Sequence, residues 1–143
     1  MITLALYRQM AEDEVANLVR NKDFFWDEIP LQHNGKPANG VWLITRPGNI
    51  TNTRKRLNLR TTVDFYVATE NKVKTEAIHQ AIRNYLTSHK YFCNLSGSVG
   101  GINYQFYNVR VQPATTPQND GATENNLIVK VASAELVYDE IQI

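Results

Sequence analysis

The residues in this chain best equipped for chemistry are a group of cations. Arg46, Arg54, Lys55, Arg56 and Arg60 lie close together, and no acidic side chain occurs between Pro30 and Thr62. Guanidinium and ammonium groups gathered in this way contact phosphates or carboxylates, either a nucleic-acid backbone, by counterion release, or the acidic segment of another chain. The competing reading is a solvated hairpin tip, the usual fate of a like-charge run. Aromatic residues are not interleaved with these cations and no helix-turn-helix pattern is present, so sequence-specific readout of bases is not expected.

Other chemistry finds little support. His33, His79 and His89 fall in a loop, on the polar side of a helix and at that helix's end. They lack the short spacing of a metal site, and HExxH, a second cysteine and an Asp-rich loop are all missing. These histidines are expected to be solvated. The stretch Gly97-Ser98-Val99-Gly100-Gly101 is neither GxSxG nor a phosphate loop ending in Gly-Lys-Ser/Thr, and it follows a helix rather than a strand. Cys93 has no basic neighbour except Lys90, so nothing lowers its thiol pKa, and it reads as a buried structural thiol. Glu12, Asp13 and Glu14 are consecutive helix positions that point apart, which makes them a solvated face. The expectation is a protein with no catalytic, cofactor-binding or metal-binding residues, and not an enzyme.

The elements that must carry these residues follow from periodicity. With 143 residues, 43% of them hydrophobic, the chain suits one α+β domain over 1–143 with a single core. No apolar run approaches a membrane span, no signal peptide is read at the N-terminus, and one cysteine suits a reducing compartment. Leu4, Tyr7, Ala11, Val15 and Leu18 mark the core stripe of a first helix. Leu6 and Met10 fall on another side of it, either beneath a loop or as a surface for a second subunit. Phe24 to Pro30 gives a short edge strand, Leu31 to Gly40 a loop, and Val41 to Thr45 a strand.

Next come a long polar hairpin arm over 46–56 and a strand alternating through Leu57, Leu59, Thr61, Val63, Phe65 and Val67. Lys72 to Ser88 returns to helical spacing, with Val73, Ala77, Ile78, Ala81, Ile82, Tyr85 and Leu86 on the core half and His79 among the polar half. Two more strands follow, separated by an exposed loop over 113–126. Each changes its apolar parity midway, from Phe106 to Tyr107 and from Val131 to Ala132, so each is expected to carry a bulge or bend. The resulting expectation is a mostly antiparallel sheet of about four to five strands with two helices on one face.

Charge is unevenly distributed. Residues 31–60 hold six basic side chains and no acidic one, whereas residues 1–30 hold three basic and six acidic. Separated patches of opposite sign suit head-to-tail contacts between copies.

This order of elements resembles the tail terminator, or minor capsid, proteins of long-tailed phages and prophages. The resemblance covers most of the chain. It lies in the helix beginning Leu4-Ala5-Leu6-Tyr7, the proline-ended segment Phe24 to Pro30, the strand Val41-Trp42-Leu43-Ile44 and the polar arm after it. It continues through the strand Thr61-Thr62-Val63-Asp64-Phe65-Tyr66-Val67, the helix with Ala77-Ile78 and Tyr85-Leu86, and the final Glu135-Leu136-Val137-Tyr138. The resemblance implies a subunit that assembles as a homo-oligomeric ring, a hexamer in that family, which caps the tail tube and presents a surface for head-tail joining. Its implied partners are its own copies, the major tail tube protein and head-connector proteins, with non-specific contact to DNA in the lumen and none to membrane. Its implied place is the virion tail or neck, and the host cytoplasm during assembly. In that setting Arg46, Arg54, Lys55, Arg56 and Arg60 would lie at an interface or at the lumen. The alternatives are a connector or completion protein of the neck and, in another class, a small non-specific nucleic-acid-binding module. A small hydrolase has the least support.

Overall fold

The computed structural model describes residues 2–29, 31, 39–46, 59–88, 102–111, 118–119 and 127–142. Helix α1 (Ile2–Glu12) leads through a 3-10 turn at Val15–Asn17 to strand β1 (Phe24–Trp26). Strands β2 (Gly40–Arg46) and β3 (Leu59–Thr69) follow, then helix α2 (Lys72–Ser88), β4 (Ile102–Val111), the two-residue β5 (Gln118–Asn119) and β6 (Ile128–Gln142). The strand order is β1-β2-β3-β6-β4, with β5 also paired to β6. β3 and β4 are both antiparallel to β6 and therefore parallel to each other, so β3, α2 and β4 form a β-α-β unit with the last strand inserted between its arms.

This is the expected α+β architecture, a mostly antiparallel sheet with both helices on one face. One core cluster joins Ile2, Leu6 and Met10 of α1 and Ile82, Tyr85 and Leu86 of α2 to Leu43, Phe65, Ala132 and Leu136 of the sheet. The exception to antiparallel pairing is β1, which lies at the edge, as expected, but runs parallel to β2. A parallel pair needs a crossover longer than a hairpin turn, and residues 27–39 supply the length. Gly40 begins β2 at φ 152°, where a Cβ would lie 3.2 Å from the Asp23 carbonyl oxygen. That carbonyl accepts the Val41 N–H at 2.9 Å, so the close approach of β1 and β2 depends on the missing side chain.

Sequence spacing located the helices and part of the faces they bury. α1 ends at Glu12 rather than continuing to Val19, and Glu14, Ala16 and Asn17 adopt left-handed conformations that no helix continues through. Tyr7, Val15 and Leu18 are buried as expected, yet Leu6 and Met10 are both at 0% exposure inside the main cluster. They are core residues packed between α1 and the sheet, which replaces both alternatives, a position beneath a loop and a surface for a second subunit. The core stripe is centred on Ile2, Leu6 and Met10 because that side of the helix rests on β1 and β2. There Tyr7 Oη donates to the Phe24 carbonyl at 2.6 Å, and Thr3 Oγ1 bonds Thr45 Oγ1 at 2.7 Å.

α2 keeps its expected limits. Asn71 Oδ1 accepts the N–H groups of Val73 and Lys74 at 2.9 and 3.2 Å, a side-chain cap on the first turn. Ile82, Tyr85 and Leu86 are buried and Ile78 packs against the core as expected, but Val73 is 76% exposed, whereas His79 is 1% exposed. His79 is therefore not a solvated histidine. Its Nε2–H donates to the Val131 carbonyl at 3.2 Å, and beside it Lys130 Nζ donates to Glu76 Oε2 at 2.8 Å.

Burial pushes the His79 imidazole below its ordinary pKa, and the Lys130 and Arg83 charges act the same way, against the Val131 carbonyl and Glu76. A base whose folded pKa lies below its unfolded one binds more protons when unfolded. Its contribution to stability is thus complete above about pH 6.5, the unfolded value, and is lost as pH falls toward the folded value. The urea midpoint is expected to drop on going from about pH 7 to about pH 5, and to drop less in His79→Gln. Equal slopes in the two proteins would remove His79 as the cause.

The helices are tied together where Tyr85 Oη donates to Asp13 Oδ2 at 2.7 Å, burial followed by Asp13 raising the phenol pKa so that it remains a donor. Tyr85→Phe is expected to lose about 0.5–1.5 kcal/mol, read from chemical unfolding.

The parity changes have different outcomes. In β4 the pairing passes from Phe106↔Tyr138 to Asn108↔Val137, leaving Tyr107 as the extra residue of a bulge. In β6 the pairing with β3 is unbroken from Thr69↔Ile128 to Leu59↔Tyr138. The expected bulge is absent from that pairing because the strand changes which of its faces is apolar, not its register. Val129 and Val131 belong to the face away from the helices, and Ala132, Ala134 and Leu136 to the face beneath them.

Candidate functional site

The basic group leads to the base of the β2–β3 connection, where Arg46 ends β2 and Arg60 lies near the start of β3. Residues in register share a face of the sheet. Arg46 opposes Thr62 and Thr62 opposes Glu135, while Asp64 opposes Ser133 and Arg60 opposes Val137. Arg46, Arg60, Asp64, Ser133 and Glu135 thus all lie on the face opposite the helices. Both arginines are met by carboxylates of their own sheet. Arg46 Nε is 2.8 Å from Asp64 Oδ2, and Ser133 Oγ donates to Asp64 Oδ1 at 2.5 Å. Arg60 Nη1 is 3.7 Å from Glu135 Oε1, an ion contact rather than a hydrogen bond. The two guanidinium side chains remain 52% and 55% exposed, while Asp64 is 9% exposed.

The charge available at this site is thus smaller than the run of basic residues implies. Arg46 is held on the nearly buried Asp64, whereas the half-exposed Arg60 is offset only weakly by Glu135. Arg54, Lys55 and Arg56 lie outside the described residues, as do His33, His89, Cys93 and the turn Gly97 to Gly101. At the end of α1, Arg8, Glu12, Glu14 and Arg20 line an open hollow, and the Arg20 guanidinium stands 5.5 Å over the Tyr7 ring.

Sequence reasoning missed the other half of this face. At the end of the sheet away from Arg46, buried Trp42, Ala68, Leu127 and Val129 form a second apolar cluster, with half-buried Phe25, Ile44, Tyr66 and Val131 packed against it. The rings of Trp42 and Tyr66 stack with centroids 6.3 Å apart, and Trp42 opposes Tyr66 across the ladder. The Trp42 indole N–H is buried without a hydrogen-bond partner among the described residues, a condition that usually costs about 1–3 kcal/mol. The available signal was the parity change in β6, since Leu127, Val129 and Val131 are apolar on one side before Ala132, Ala134 and Leu136 become so on the other.

Among the described residues, no group of three or more His, Cys, Asp or Glu side chains is arranged to hold a metal ion. No helix among them is long and apolar enough to cross a membrane. No protein-family model matches the chain, and no curated protein matches it.

Proposed function

We propose that this chain is a non-enzymatic structural subunit of the phage tail-terminator kind, which forms a ring on the end of a tail tube and offers a surface for joining to the head. The observation that carries the reading is the sheet face opposite the helices. It sets four partly exposed apolar side chains, Phe25, Ile44, Tyr66 and Val131, around the buried Trp42, beside charges that come in opposite pairs. A patch of that composition beside polar groups is characteristic of surfaces that contact other proteins. Paired charges weaken the uncompensated positive field on which phosphate binding depends. The order of elements, two helices over a sheet with a long polar connection after β2, agrees with the resemblance to that family.

The test is native mass spectrometry and electron microscopy of the purified protein, alone and mixed with tail tubes. A closed ring that caps the tubes is the expected result. Protein that stays monomeric at high concentration and leaves the tubes uncapped would overturn the proposal. A connector protein of the neck would instead be retained by portal-side components and not by the major tail tube protein.

The contiguous cations Arg54, Lys55 and Arg56 keep a second reading in view, a module that binds nucleic acid without sequence preference. It requires an affinity that falls steeply with salt and collapses when Arg54, Lys55, Arg56 and Arg60 are all replaced by serine. Under the leading reading any DNA affinity of the parent protein is already weak, so the same variant changes it little.

A further inference from the structure

We draw no further inference here: the strongest candidate, the aromatic patch of Phe25, Trp42, Ile44, Tyr66 and Val131 on the sheet face away from the helices, already belongs to the surface on which the proposed function rests, and nothing in the structure shows what covers it.

Discussion

Leu6→Ala is expected to lower the free energy of unfolding by about 2–5 kcal/mol, with Met10→Ala at the lower end of that range because a thioether chain leaves a gap that neighbours refill more readily. Both side chains are wholly buried in the cluster that joins α1 to β2, β3 and the rest of the main core. Deleting the outer atoms of Leu6 forfeits their transfer free energy and leaves a cavity against close-packed neighbours. The measurement is urea unfolding at low protein concentration, with the oligomeric state recorded in parallel. A residue serving only as a subunit contact would show the opposite pattern, with unchanged stability of the single chain and loss of assembly. That result would refute the core assignment.

The second large effect is expected at Arg46. Arg46→Met leaves the nearly buried Asp64 carboxylate with the Ser133 hydroxyl but without its cation. An ionised group that loses its partner in a desolvated site costs about 1–3 kcal/mol, and the half-exposed position of the guanidinium places this case in the lower part of that range. Replacing both partners by apolar groups, Arg46→Met with Asp64→Leu, is expected to recover much of the loss, because no buried charge then remains unpaired. A double-mutant cycle measured by chemical unfolding isolates the coupling. If Arg46→Met left stability unchanged and instead weakened binding to DNA, the arginine would be serving a ligand rather than the sheet.

The two predictions concern the same kind of residue, one whose type was legible and whose surroundings were not. Helical spacing from Lys72 to Ser88 and alternation from Leu57 to Val67 placed α2 and β3 because both patterns are local consequences of backbone geometry. The bulge at Tyr107 was also legible, since one extra residue shifts a strand's apolar parity by one place. The face that an element buries was less so. In α1 a stripe through Leu4 and Ala11 was as regular as the one through Ile2, Leu6 and Met10, and only contact with β1 and β2 selects between them. In α2, Val73 faces solvent while His79 is buried with the Val131 carbonyl as partner, so hydrophobicity ranked the two in reverse. The parallel pairing of β1 with β2 was hidden because a loop and a crossover look alike in composition.

The basic residues show the same division. By itself the sequence determined that this is an α+β chain of two helices and a mostly antiparallel sheet, and that its cations concentrate between Gly40 and Thr61. Those properties depend on neighbours a few positions apart. The tertiary structure decided that Arg46 lies against Asp64, that Arg60 lies near Glu135, and that an aromatic patch occupies the other half of their face. Carboxylates distant in the chain reach these arginines only because β3 runs between β2 and β6. A count of charge along the sequence could not show how much of that charge the folded chain offsets itself.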